Sequence, residues 1–477
     1  MESRRKSSQC AAFVLSRLVI FSALFALCET MVAGAEDRDA DRGRFLRKYW
    51  YEAGIEHGNP SFNSRFRVNA PDAVLHPSFM HRNEVRGNGM MLVLIEEDLS
   101  RVAGAELYHE LWGGHPGTAN KRVTINGRST YKIPEVGAEE NNCTYSYPTL
   151  ALKITDLVNG YNALQFACDR GKSFWGHFIV DNACLRVVLQ RDHPDLEKVG
   201  LAGFEAALLV HPIVPDREVI PIELKISSSG EEKVSSVDFV GYYYGYDENG
   251  NGKFTDWHGF TKSRVPQAIL GTSTAEPFSM KWDVSMLPAQ KDVAVKATVH
   301  FKDHPEISYE TPVLRGLRIP PRKGSRVKLY MSKDLPHPFW SRASSAKECT
   351  IVIEEAPERI EKAELHVVIW DGGRGKVENP FTLNGHPLPI AGEGRHDVLC
   401  RRLPVDPSIL KQGPNRIVLL SDTEHHGIEV LLPGPAIIVR SERGTSRRDP
   451  RMPVLPLPAN GHLRGKAPAE PSSELNG

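Results

Sequence analysis

The chain repeats itself. Ile95-Glu96-Glu97 is followed after seven residues by Ala105-Glu106-Leu107, after four more by Trp112, and after thirteen more by Asn126-Gly127. The same series returns with the same gaps as Ile353-Glu354-Glu355, Ala363-Glu364-Leu365, Trp370 and Asn384-Gly385. Farther on, Gly160-x-Asn162 before Leu164-x-Phe166 is matched by Gly413-x-Asn415 before Ile417-x-Leu419. The loop between differs by five residues, as surface loops tolerate. Agreement over so many positions predicts two copies of one domain, over 45–195 and 325–441.

Each copy reads as short strands. Apolar residues alternate in MMLVLIE (90–96), AELYHELW (105–112), TLALKIT (149–155) and NALQFAC (162–168), with turn residues between the runs. Asn126-Gly127 and Asn384-Gly385 stand where a hairpin needs left-handed backbone. Seven or eight strands in each span suit a β-sandwich. Residues 200–320 hold further strand-like runs, such as IPIELKISS (220–228) and VAVKATVHF (293–301), and read as an immunoglobulin-like sandwich. The 39 Gly and 34 Pro residues punctuate many short segments, so the whole chain is expected to be all-β. Residues 444–477 are rich in Pro, Arg, Gly and Ser and lack an apolar period, which predicts a disordered tail.

The order of an Ala-Glu-Leu strand, a strand ending in Asn-Gly and a Gly-x-Asn strand resembles galactose-binding-like jelly rolls. The sugar-binding domain of family 2 glycoside hydrolases is one example. The resemblance implies two jelly rolls flanking an immunoglobulin-like domain in a secreted bacterial-type protein. In those hydrolases a catalytic barrel follows the sandwiches; here a second jelly roll and a Pro-rich tail follow. Catalytic carboxylates therefore carry over to no position of this sequence.

Residues 1–35 read as a secretory signal: Arg4, Arg5 and Lys6, a ten-residue apolar core from Leu18 to Leu27, and Ala33-Gly34-Ala35 as a cleavage site. Export to the periplasm or the exterior is expected, with no membrane insertion after the signal is removed. The full chain balances 59 basic against 59 acidic residues, which disfavours a general nucleic-acid binder. Downstream of the signal lie Cys143, Cys168, Cys184, Cys349 and Cys400. An oxidising compartment makes Cys349–Cys400 the simplest disulfide, the alternative being that all five are small buried hydrophobes.

Several motifs invite chemistry. Asp247, Asn249 and Asn251 before Gly252 follow the start of an EF-hand-type loop, with the Lys253 carbonyl next and Asp256 as a further carboxylate. His258 replaces the expected bidentate Glu, so Ca2+ competes with a plain hairpin tip. Tyr242, Tyr243, Tyr244, Tyr246 and Trp257 cluster beside that loop, either as a sugar-stacking face or as core. Trp112, with His115 nearby, and Trp370 end strands beside glycine pairs and face the same two readings. His109-Glu110 starts an HExxH that Gly113 breaks, and no GxSxG occurs. Glu424-His425-His426 reads as a polar hairpin tip, and the repeated pairs Glu96-Glu97 and Glu354-Glu355 as solvated strand ends.

The leading functional expectation is a noncatalytic protein that binds a polysaccharide or cell-surface polymer on shallow loop surfaces. Two others compete with it: a structural or adhesive protein with protein partners, and a glycan hydrolase or lyase with a site between domains. Calcium is the one cofactor the sequence suggests.

Overall fold

The computed structural model describes residues 42–52, 66–71, 85–86, 89–114, 118–134, 145–170, 176–228, 230–246, 256–267, 269–336 and 338–443. The expected signal, the 444–477 tail, Cys143, His115, Asp247, Asn249, Asn251 and Lys253 lie outside these residues. The described chain is all-β, built from several mainly antiparallel sheets, with only short helical turns. None of its helices is long and apolar enough to cross a membrane.

One 12-stranded sheet runs through the N-terminal and middle segments. Strand Arg44–Trp50 joins them. On one side it pairs with His177–Leu189, and on the other with Ile307–Glu310. A four-stranded sheet covers the N-terminal part, in the spatial order Gly89–Ile95, Gly160–Arg170, Thr118–Ile125, Ser129–Lys132. A three-stranded sheet of Ala206–Val210, Val219–Ile226 and Ser279–Asp283 belongs to the middle segment. The C-terminal segment has a five-stranded sheet centred on Ile360–Trp370 and a four-stranded sheet. The latter runs Lys347–Ile353, Gly413–Leu419, Phe381–Leu383, His386–Pro387.

Period-2 alternation accounts for the layers. Met91, Val93 and Ile95 are fully buried while Met90 is 48% exposed. Ile351 and Ile353 are fully buried around Val352, 56% exposed. Each strand thus turns one face into a core and one outward. One apolar cluster serves the N-terminal and middle segments together, and a second fills the C-terminal sandwich.

The spans 45–195 and 325–441 share details of bonding. Asn126 and Asn384 both sit at φ 51°. Each donates through Nδ2 to an Asn on the neighbouring strand at 2.8 Å, Asn162 and Asn415 respectively. Each also accepts, from the Ala163 and Arg416 N–H groups. Glu97 and Glu355 again correspond, and here the expectation of solvated pairs needs correcting. Glu96 and Glu354 are exposed, but Glu97 is 5% and Glu355 6% exposed. Glu97 takes hydrogen bonds from Arg47 and Tyr49, and Glu355 from Arg326 and Tyr330. Strand alternation turns the second residue of each pair inward, where cations on the first strand of its sandwich meet it.

Cys349 and Cys400 are not bonded; both are free thiols. Cys349 is buried in the C-terminal core. In strand Val398–Val405, Leu399 and Leu403 pack on that core, whereas Cys400 faces the other one. The five-stranded sheet therefore separates the two sulfurs. Cys168 and Cys184 are free and buried as well.

Candidate functional site

The loops at one end of the C-terminal sandwich converge on Trp370, the last residue of strand Ile360–Trp370. Four loop segments meet there, bonded backbone to backbone. Asp371 N–H donates to the Asp397 carbonyl and His396 N–H to that of Asp371. Gly373 N–H donates to the His426 carbonyl at 2.6 Å, and Ala343 N–H to that of Thr423. The contact is close enough to need glycine: a Cβ on Gly372 would lie 2.1 Å from the Gly427 carbonyl oxygen. Asp371, 3% exposed, accepts from the Glu393 N–H and ties in another loop.

This framework holds aromatic rings at the surface. The His396 ring stacks on Trp370, centroids 5.1 Å apart and planes within 7°. His426 meets both edge-on, 5.8 Å from Trp370 and 4.8 Å from His396. Both histidines have left-handed backbone, φ 58° and 57°. Histidine, like Asn and Asp, is among the side chains that enter this region most readily, which suits these tight loop positions. Trp340 belongs to the same face. Glu429 pairs with Trp370 on one side and with Trp340 on the other, which sets the two tryptophans roughly 10 Å apart, two strand spacings. Arg342 lies over Trp340, 4.3 Å from the ring centroid. Of these residues the sequence reading singled out Trp370 as a stacking ring and His426 only as part of a polar hairpin tip. Glu424-His425-His426 does form a turn, but His426 is drawn into the ring cluster.

Trp112, like Trp370, packs partly buried against the large core. Its ring lies 5.5 Å from His177, itself 3% exposed. Trp257 and Asp256 belong to segment 256–267, which ties the three parts together. Trp257 Nε1 donates to the Tyr108 hydroxyl at 3.2 Å, and its ring meets Phe260 edge-on at 4.7 Å. Lys262 N–H donates to Asp397 and Gln267 Nε2 to the Val398 carbonyl, both in the C-terminal sandwich. Tyr243 and Tyr246 are buried, Tyr242 and Trp257 are partly buried, and Tyr244 is 45% exposed, so the aromatic cluster is split between packing and surface. Asp256 is fully buried and accepts from the Gly241 N–H at 2.7 Å; burial pushes its carboxyl up to about 7.

Glu110, from the broken HExxH, is fully buried and receives four donors. These are the Tyr108 and Tyr145 hydroxyls, Asn182 Nδ2 and the Phe260 N–H. Burial pushes its carboxyl up to about 7 even so. Sequence reasoning also missed Glu97, His193 and Asp195, whose ligand atoms lie within 4.8 Å of one another. They border a cavity of about 450 Å³. Arg47 bonds Glu97 at 2.5 Å and Asp195 at 3.0 Å, so a guanidinium already supplies the positive charge there.

No family model and no curated protein matches the chain. Among solved structures, a β-porphyranase of glycoside hydrolase family 86 from the human gut bacterium Bacteroides plebeius aligns at 13% identity. The match covers 51% of this chain and 37% of that one, with a TM-score of 0.22. A second family 86 enzyme, in complex with neoagarooctaose, gives 11% identity, coverages of 51% and 34%, and a TM-score of 0.21. The Endo-D glycoside hydrolase domain from Streptococcus pneumoniae gives 8%, 48% and 30%, and 0.20. Likeness this low carries no argument about function, and the chain spans well under two thirds of each enzyme.

Proposed function

We propose that the chain is an exported, noncatalytic binder of carbohydrate or cell-surface polymer, and that the loop rim around Trp370 is its contact surface. One observation carries the reading: the rings of two histidines converge on one tryptophan. A fold that gathers flat rings at its surface through backbone bonds between loops is preorganised to meet a flat partner. Pyranose rings offer such apolar C–H faces, and the neighbouring Arg342 and Glu393 can meet hydroxyls. Trp340, roughly 10 Å away, lets the rim touch more than one ring.

The noncatalytic part rests on Glu110 and Asp256, the two carboxyls that burial pushes up to about 7, both being fully buried. Export rests on the charged, apolar and small-residue series of 1–35. Calcium remains a proposal for Asp247, Asn249, Asn251 and the Lys253 carbonyl. Asp256 suits it poorly, since its Oδ1 is engaged by Gly241. The shared bonding of 45–195 and 325–441 supports reading them as two copies of one jelly-roll domain, with the middle segment immunoglobulin-like.

Retention on insoluble polysaccharides tests the reading. His396→Ala and Trp370→Ala should lower retention about 10-fold, as losing a stacking ring removes on the order of 1–2 kcal/mol. Circular dichroism should show both variants folded; His396, half-exposed, is the safer of the two. Unchanged retention in folded His396→Ala would remove the rim from the site. Steady release of reducing or unsaturated ends, abolished by one carboxylate substitution, would replace the binder with an enzyme.

A further inference from the structure

A cavity of about 310 Å³ opens between the middle and C-terminal sandwiches. Its volume suits one sugar-sized ring. Tyr243 and Trp282, with centroids 5.9 Å apart, and Met286 form an apolar wall. Arg402 and Lys281 line the same space. Arg402 is solvent-exposed although it stands on a strand facing the middle sandwich. Its guanidinium hydrogen-bonds the Tyr243 hydroxyl and is attracted by Asp256 and Glu364 without forming a direct ion pair to either.

The acids nearby are otherwise engaged. Glu364 is bonded to His366 at 3.1 Å. Asp256 accepts from Gly241 and keeps its proton below about pH 7, through burial. Asp283 accepts from the Ser285 N–H at 2.7 Å. Two cations, Arg402 and Lys281, share one ring-sized space with the carboxylates of Glu364 and Asp283, and the Arg402 fork is bonded to neither of those acids. A guanidinium fork matches the paired oxygens of a carboxylate or sulfate. The Glu364–His366 pair and Ser285 can meet hydroxyl groups on the same ligand.

We propose that this junction cleft binds a single sugar-sized ring bearing a carboxylate or sulfate, with Arg402 holding the anionic group and the Tyr243–Trp282 wall lying against the ring. The site is separate from the Trp370 rim and stands if the rim reading fails.

Calorimetric titration of the full chain with glucuronate, with galactose 6-sulfate and with neutral glucose tests it. At least one acidic probe should bind and glucose should bind at least about 10-fold more weakly, the size of one charge-assisted hydrogen bond. Which acid binds decides between carboxylate and sulfate. Arg402→Ala should weaken that probe about 10-fold or more, and Lys281→Ala by a few-fold. Arg402→Lys should fall between Arg402→Ala and the unaltered protein, because it keeps the charge without the fork. If Arg402→Ala does not fold, Arg402→Lys and the exposed Lys281→Ala decide the matter. Failure of both acids to bind, an equal response to glucose, or unchanged affinity in the folded variants would overturn the proposal. Polymer retention by the rim is read separately and is not affected by any of these outcomes.

Discussion

Asn126 and Asn384 show how one side chain can hold a turn. Each tolerates left-handed backbone and ties its turn to the adjacent strand through a second Asn. Both Asn-Gly pairs were legible in the sequence because this chemistry is local. Buried carboxyls were not, since their environment comes from distant segments: Glu110 is surrounded by residues as far away as Phe260. These groups set how stability varies with pH. Asp256 holds its proton in the fold up to about 7, through burial, while the unfolded chain releases it near 3.8. Its contribution is whole below about pH 4 and is lost as the pH rises through 7, and Glu110 has the same sign. Glu310 has the opposite sign. Burial opposes its charge, but Lys296, Arg44 and Arg186 hold its carboxyl well below the usual range, so its contribution is lost in acid. Asp256→Asn should therefore flatten the decline in unfolding free energy between about pH 5 and 7.5 by roughly 1–3 kcal/mol and leave the acid limb alone. Urea titrations across that range check it, and an equally steep decline in the variant would assign the titration to another group.

Strand continuity distinguishes elements that look alike in sequence. His177–Leu189 is one strand of 13 residues. Its C-terminal counterpart is split into Glu429–Val430 and Ala436–Glu442 around Pro433, Gly434 and Pro435. Proline donates no ladder hydrogen bond, which breaks the strand. Tyr246 of the middle segment fills the gap: its hydroxyl donates to the Gly434 carbonyl at 2.8 Å and accepts from the Val368 N–H at 3.2 Å. The interruption in one sandwich thus becomes an attachment point for another. Tyr246→Phe should cost about 1–3 kcal/mol, because it leaves a buried N–H and carbonyl unmet. Chemical denaturation measures that cost, and a loss within error would mean that water replaces the hydroxyl. The proline signal was visible beforehand, but the partner, 188 residues from Gly434 and 122 from Val368, was not.

At the scale of the molecule, the segments are unequal in independence. The N-terminal and middle parts share one sheet through Arg44–Trp50 and one apolar cluster, whereas the C-terminal sandwich has a cluster of its own and, of its buried residues, lends only Val368, Val398, Leu431 and Ala436 to the shared one. A fragment of residues 325–443 should melt cooperatively by circular dichroism. One of residues 42–198 should not, since cutting there exposes the Arg44–Trp50 edge and strips Arg44 of Glu310. Cooperative melting of the second fragment would show that the shared sheet is dispensable. The sequence by itself determined the all-β class and the in-or-out parity of most strands, because alternation and turn chemistry act over a few residues. Parity could not show which core a face meets. It left Cys349–Cys400 plausible, and only the stacking of sheets put a five-stranded layer between the two sulfurs. The ring cluster was hidden for the same reason. Trp370 ends a strand while Trp340, His396 and His426 come from three other segments, and only the closing of the sandwich brings them together.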